Sequence, residues 1–136
     1  MPVVASITAN VGGLSVAVFG LTVPMITERM LSRKVSAYVF DDPIKIAAAL
    51  VPELRAGHDV VIALTHIGLA EDRRLAEDVP GIDLIIGGHT HAVLETPEVV
   101  AGVPILQAGW RGRYVGRAGI ETAGNSLKVT AGILEL

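Results

Sequence analysis

The sequence predicts an α/β fold in which strands and helices form layers. Two nearly all-apolar segments, Asp59–Thr65 and Asp83–Ile86, have the composition of strands that are buried on both faces. A helical pattern precedes each of them, and a β-rich part of the chain follows, which together indicate layers of sheet and helix. No repeat or linker divides the 136 residues, so we expect residues 1–136 to form a single unit.

The N-terminal part of the chain predicts strands. Runs rich in β-branched residues at Val3–Ile7 and Leu14–Leu21 predict two strands, joined by a turn at the glycine pair 12–13. Residues 27–34 are polar and predict a connection, and Val35–Phe40 predicts a third strand.

The first helix has clear signals at both ends. Asp42 is suited to cap free amide groups, Pro43 suits the first helical position, and Gly57 is a typical stop. Pro52 predicts a kink or an early break. The expected buried stripe consists of Ile44, Ala47, Ala48, Val51 and Leu54.

The remaining elements follow in order. Leu69–Val79 predicts a second helix with both charge signs. Its expected solvent-facing residues are Glu71, Asp72, Glu77 and Asp78. From residue 103 onward the pattern predicts a meander of strands at Val103–Ala108, Tyr114–Glu121 and Leu127–Leu134, with a turn at residues 124–125.

The composition is apolar for a small domain, because 51% of the residues are hydrophobic, 18% are charged and the mean hydropathy is +0.55. The apolar runs are shorter than the roughly 20 residues that cross a bilayer, and no secretory signal is visible. We therefore expect no membrane insertion. Instead, an apolar face would be covered in a homo-oligomer or an element-swapped dimer. The sequence itself does not indicate the cellular compartment.

The charge argues against one class of partner, and the absence of cysteine excludes one class of metal ligand. The net charge is −3 and no basic cluster exceeds two neighbouring residues, which argues against binding to nucleic acid. The chain has no cysteine, so any metal ion must be bound by nitrogen and oxygen atoms.

Three histidines follow the two apolar strands. His66 comes directly after the first strand, His89 follows the second strand and its glycine pair 87–88, and His91 comes two residues later. Ligands of open α/β sheets bind beyond the carboxyl ends of the strands, so His66 and His89 are expected to converge. Imidazole favours a divalent transition metal such as Mn, Zn, Fe or Ni. His58, at the end of the first helix, is expected to be structural.

An aromatic and basic cluster lies close to the last strands. Trp110, Arg111, Arg113 and Tyr114 fall on a segment with two glycines. Arg111 and Arg113 are candidate substrate-binding residues that would contact a phosphate or a base. A surface turn between strands is the alternative.

Two motifs give the chain a resemblance to a known family. Leu64–Gly68 (LTHIG) and Gly87–His91 (GGHTH) resemble the calcineurin-like metallophosphoesterases, most of all their bacterial 5′-nucleotidase branch. Residues 2–11, 18–24 and 105–116 also resemble the sequences of that branch. The resemblance implies a double β-sandwich flanked by helices, with two metal ions between the sheets. It further implies that His66 and His89 bind one ion, that His91 binds the other, and that the substrate is a nucleotide-like phosphoester.

The departures from that family are informative as well. Its Asp-x-His, Gly-Asp and Gly-Asn-His motifs do not occur, so the resemblance covers the second half of the catalytic domain. We expect at most one tightly bound metal ion in the isolated chain. The alternatives are a sulfur-ester hydrolase of the same superfamily, and a non-catalytic or split-enzyme fragment that binds metal and assembles with itself or a partner. Relatives of this branch are commonly periplasmic or extracellular.

Overall fold

A computed structural model of the chain describes residues 5–25, 34, 39–123 and 126–136. In chain order its elements are β1 (Ser6–Val11), β2 (Leu14–Thr22), α1 (Pro43–Gly57), β3 (Val60–His66), α2 (Leu69–Asp78), β4 (Leu84–Ile86), β5 (Glu98–Val100), β6 (Val103–Leu106), β7 (Tyr114–Ala123) and β8 (Ser126–Glu135). Within these ranges, neither helix has the length and the apolar composition that a membrane span requires.

Six strands form one mixed sheet in the order β1-β2-β3-β4-β6-β5, and β7 and β8 form a separate hairpin. β2, β3, β4 and β6 run parallel, while the edge strands β1 and β5 run antiparallel to their neighbours. The predicted α/β class is confirmed. The parallel arrangement brings the carboxyl ends of four strands to one edge of the sheet.

The first strand ends later than predicted, and residues 3–4 of its predicted range lie outside the described residues. Residues 6–11 form it, and its partner β2 follows after the predicted turn, where Gly12 and Gly13 have φ values of +59° and +85°. Polar residues are tolerated here because β1 is an edge strand with a largely exposed surface. The predicted connection at 27–34, except Lys34, and residues 35–38 of the predicted third strand lie outside the described residues. Val39 and Phe40 belong to no helix or strand.

Helix α1 begins and ends as predicted. The Asp42 carboxylate accepts hydrogen bonds from the backbone amides of Ile44 (2.9 Å) and Lys45 (3.3 Å), which satisfies two free donors of the first turn. The prediction is wrong at Ala48, which is exposed. The helix continues through Pro52 without an early break, and the alternative of a kink there stays a prediction. Both residues are exposed, and Pro52 has no amide hydrogen to donate to the carbonyl of Ala48.

The C-terminal strands differ from the predicted meander. β6 joins the large sheet, where it runs parallel to β4 and antiparallel to the unpredicted strand β5. Its short apolar sequence matches a buried parallel strand better than a meander strand. β7 and β8 pair antiparallel as predicted, and the residues of their turn, 124–125, lie outside the described ranges.

Both helices pack on one face of the large sheet, and the other face is partly open. The shared core includes Ala17, Phe19, Val61, Ala63, Ile85 and Ile105 from the strands and Val51 and Leu75 from the helices. On the opposite face Leu64 is 53% exposed and Ile86 is 36% exposed. The prediction that β3 and β4 are buried on both faces is therefore wrong at these two residues.

Candidate metal centre

The structure brings two of the three candidate histidines together. His66 is the last residue of β3, and His89 follows the neighbouring parallel strand β4. Their imidazole ring centroids are 5.1 Å apart, and the rings meet edge to face at 72°. Both side chains are exposed, so an ion or a substrate can reach them from solvent.

The loop that carries His89 and His91 has an unusual backbone. His89 has a φ of +78° and His91 a φ of +57°, a region that residues other than glycine rarely adopt. Each such residue costs on the order of 1–3 kcal/mol and persists only where its surroundings fix it. The loop conformation is therefore imposed by neighbouring contacts.

Gly87 and Gly88 allow that loop to lie very close to its neighbours. A Cβ on Gly88 would come within 3.0 Å of His66 Nδ1, and a Cβ on Gly87 would overlap Asp72 Oδ2. The two glycines therefore allow the loop to lie close to the His66 ring and to helix α2, because neither has a side chain.

Gln107, the residue after β6, supports the loop from beneath. It is 2% exposed. Its Nε2 donates to the carbonyl of Gly88 (3.0 Å), and its Oε1 accepts from Thr90 Oγ1 (3.0 Å) and from the backbone amide of Ala92 (2.6 Å). At about 1 kcal/mol for each bond, these contacts are comparable to the backbone strain of the two histidines.

Asp72 lies beneath the same loop, fully buried in α2. Its Oδ1 accepts a hydrogen bond from Oγ1 of Thr65, the residue before His66, at 2.5 Å. Its Oδ2 has no hydrogen-bond partner within the described part of the chain. Burial raises the pKa of the Asp72 carboxyl, and the hydrogen bond from Thr65 offsets part of this increase. The prediction that Asp72 faces solvent is wrong.

The third histidine has a different neighbour. The His91 ring stacks on Trp110, with centroids 5.2 Å apart and an interplanar angle of 10°. Arg111 lies over the same indole, with its Cζ 4.1 Å from the ring centroid. Arg113 Nη2 lies 3.8 Å from Glu135 Oε1, so this second candidate arginine is paired at the surface.

His58 lies away from this group, at the amino end of β3. Its Nδ1 is 2.8 Å from the carbonyl oxygen of Leu54, a local contact at the end of α1. The structural role expected for His58 is confirmed.

The spacing of His66 and His89 fits two ligands of one ion. Two imidazoles on a tetrahedral ion with metal–nitrogen distances of about 2.0–2.1 Å would have ring centroids roughly 5 Å apart. Across the described ranges no group of three or more His, Cys, Asp or Glu side chains could hold a metal ion. The pair therefore offers part of a coordination sphere, and the role of these histidines as ligands stays a prediction.

Gln107 and Asp72 are the residues of this centre that the sequence analysis missed. Gln107 directly follows the apolar strand β6 and His66 is the last residue of β3, so their shared position at a strand end was the available signal. Asp72 precedes the buried Leu75 and Ala76 by three and four residues, a spacing that places it on the buried stripe of α2.

Comparison with known proteins establishes the family. Residues 1–93 match the calcineurin-like phosphoesterase domain. The chain belongs to this family. Calcineurin-like phosphoesterases use divalent metals. The resemblance inferred from the two histidine motifs is confirmed.

Individual relatives agree with this assignment. The trifunctional nucleotide phosphoesterase protein YfkN of Bacillus subtilis is 40% identical over 119 residues, which cover 84% of this chain and 8% of that protein. The sulfate thiohydrolase SoxB of Thermus thermophilus has a TM-score of 0.83 at 26% identity, covering 96% of this chain and 24% of SoxB. A 5′-nucleotidase precursor from Thermus thermophilus has a TM-score of 0.77 at 28% identity, with 96% and 30% covered. The chain spans less than a third of the length of each of these relatives.

Proposed function

We propose that the chain acts in metal-dependent hydrolysis of nucleotide-like phosphoesters, in the manner of a 5′-nucleotidase. The proposal is carried by the His66–His89 pair, which lies at adjacent strand ends with a ring separation of 5.1 Å. In this proposal His66 and His89 bind one divalent transition metal, and His91 contributes to a second ion. The family supports the reaction class, and the 5′-nucleotidase relative supports the substrate class.

The residues around the pair have separate tasks in this proposal. A bound metal ion would polarise a phosphoryl oxygen as a Lewis acid. Arg111 lies over Trp110, which stacks on His91, and it offers a guanidinium to a substrate phosphate. Arg113 is the second candidate for this contact, once it is released from its long, exposed pairing with Glu135.

We further propose that the isolated chain binds at most one metal ion tightly. Two divalent ions at close range repel each other unless carboxylates lie between them. Within the described residues the histidine pair has no carboxylate partner that would complete a cluster of three.

Metal titration tests this assignment. The wild-type chain is titrated with Mn²⁺, Co²⁺ and Zn²⁺ by calorimetry, and the bound metal is counted by elemental analysis. We expect up to one equivalent, and a loss of affinity of at least tenfold in both His66→Ala and His89→Ala. His58→Ala is the matched control, because its imidazole lies at the end of α1 with Nδ1 beside the Leu54 carbonyl, and it is expected to bind like the wild type.

Two results would contradict the assignment. Two tightly bound equivalents would overturn the single-ion proposal. Equal affinity of His66→Ala and the wild type would remove the histidine pair from the centre.

A sulfur ester is the second candidate substrate, and the TM-score of 0.83 to a sulfate thiohydrolase favours it. Assays of a nucleoside monophosphate and a sulfur ester under identical metal conditions separate the two candidate substrates.

A third alternative is a split enzyme or an inert fragment. Co-expression with a polypeptide that carries the Asp-x-His and Gly-Asn-His motifs distinguishes these, because a split enzyme gains manganese-dependent activity and an inert fragment does not bind.

We also propose that the open sheet face around Leu64 and Ile86 is covered by self-association, as a homo-oligomer or an element-swapped dimer. Leu64 and Ile86 are register partners on neighbouring strands, and large contiguous apolar patches commonly mark interfaces. His66 follows Leu64 at alternate spacing on β3, so this face extends directly to the candidate centre.

A further inference from the structure

We propose that Gln107 is a positioning residue for His89 and His91, because it forms hydrogen bonds to the residues on both sides of each histidine. Its three hydrogen-bond partners are Gly88, Thr90 and Ala92, the residues that alternate with the two histidines along the loop. The proposal rests on the proposed function for its metal-binding consequence, but its structural part can be tested without metal.

The chemistry of the glutamine amide suits this position. The loop offers one carbonyl acceptor, from Gly88, and two donors, from Thr90 and Ala92. A carboxamide presents both a donor and an acceptor at one end of the side chain, whereas a carboxylate presents only acceptors. Because Gln107 is buried, each of these bonds forms away from water, and a lost partner would leave a buried polar group unpaired.

A second contact connects Gln107 to the segment that carries His66. Thr90 Oγ1 donates to Gln107 and also accepts from the backbone amide of Leu69 at 3.3 Å, the first residue of α2. Gln107 thereby joins the end of β6 to the histidine loop and to the helix that follows His66. These contacts keep the positive φ values of His89 and His91 in place.

The test uses two variants and a control of similar structural effect. Gln107→Ala removes all three hydrogen bonds. Gln107→Glu keeps the acceptor for Thr90 and Ala92 but loses the donor to Gly88, so it remains informative if the alanine variant fails to fold. Asp83→Ala is the control, because Asp83 accepts from Arg55 Nη1 (2.6 Å) and the Val61 amide (2.7 Å) before β4, away from the histidine loop.

The first readout is taken on metal-free protein. Trp110 is the only tryptophan in the sequence, and it stacks on His91, so its emission reports the position of that ring. Side-chain NMR signals of the histidines report His89 and His91 directly, with His58 as the internal reference. We expect Gln107→Ala to shift the Trp110 emission and the His89 and His91 signals, and Gln107→Glu to shift them less, while Asp83→Ala leaves them unchanged.

The second readout is Co²⁺ affinity, for which we expect Gln107→Ala to lose about tenfold or more, as residues that orient metal ligands typically do. Unchanged histidine and Trp110 signals in the folded Gln107 variants would overturn the positioning role, as would equal shifts in Asp83→Ala. If the wild type binds no metal, the proposed function fails, while the metal-free signals still decide the role of Gln107.

Discussion

At Gly87 the absence of one carbon atom keeps the histidine loop in contact with helix α2. A Cβ at this position would overlap Asp72 Oδ2. Asp72 has little room to move, because it is buried and its Oδ1 accepts a hydrogen bond from Thr65. We expect Gly87→Ala to destabilise the fold by about 2 kcal/mol, in the range typical of overpacking. Thermal unfolding measures this change.

Gly57→Ala provides the matched comparison. No atom lies within 4 Å of a Cβ at Gly57, the last residue of α1. Alanine restricts the unfolded chain more than glycine does. The unfolding temperature of Gly57→Ala is therefore expected to equal or exceed that of the wild type. A Gly87→Ala variant as stable as Gly57→Ala would show that the loop is free to move away from Asp72.

Individual residues of the centre were predictable to different degrees. His66 and His89 could be placed from the sequence, because a strand end fixes the position of the residue that follows it. The neighbours of His91 could not, since its positive φ and its stacking on Trp110 depend on a turning loop. Gln107 was missed for the same reason, because its partners are defined only once that loop has formed.

At the scale of elements, the ion pair between Arg73 and Glu98 joins α2 to β5. Arg73 Nε lies 2.6 Å from Glu98 Oε1, and Arg73 Nη2 lies 2.9 Å from Oε2. The hydrogen bond from Arg73 lowers the pKa of Glu98 below its usual 4.5. The stabilising contribution is therefore complete above pH 4.5 and is lost as the pH falls through the lowered value.

Comparison of Glu98→Gln with the wild type measures this contribution. At pH 7 the variant is expected to unfold at a temperature lower by on the order of a few degrees, because a partly exposed pair contributes little. At pH 3 the difference is expected to shrink. Glu53→Gln, which removes the same charge from the exposed side of α1, is the control. A difference that stays constant with pH would contradict a role for the Glu98 charge.

Element boundaries were predictable where local signals exist. Asp42, Pro43 and Gly57 define α1 through capping, proline geometry and glycine termination, and the helix has the predicted ends. The edge strands β1 and β5 carry weaker signals, because an edge strand exposes its side chains and so lacks a strict apolar pattern. The membership of β6 in the large sheet follows from tertiary packing, which no local pattern encodes.

At the scale of the whole molecule, the high apolar content corresponds to a sheet face that the helices leave open. Leu64, near the carboxyl end of β3, is 53% exposed on that face. We expect the wild type to self-associate at high concentration and Leu64→Ser to weaken the association, as measured by sedimentation velocity.

Leu134→Ser is the comparison for this experiment, because Leu134 is 59% exposed but lies on the β7–β8 hairpin. It is expected to associate like the wild type. A wild-type chain that stays monomeric at high concentration would contradict self-association through the open face.

The proposal that His66 and His89 share one metal ion can be tested by anomalous diffraction from crystals of the wild-type chain grown with Co²⁺ or Zn²⁺. We expect one strong peak at about 2.0–2.1 Å from an imidazole nitrogen of each of these two histidines. A peak bound by only one of them, or a strong peak at His58 alone, would contradict it.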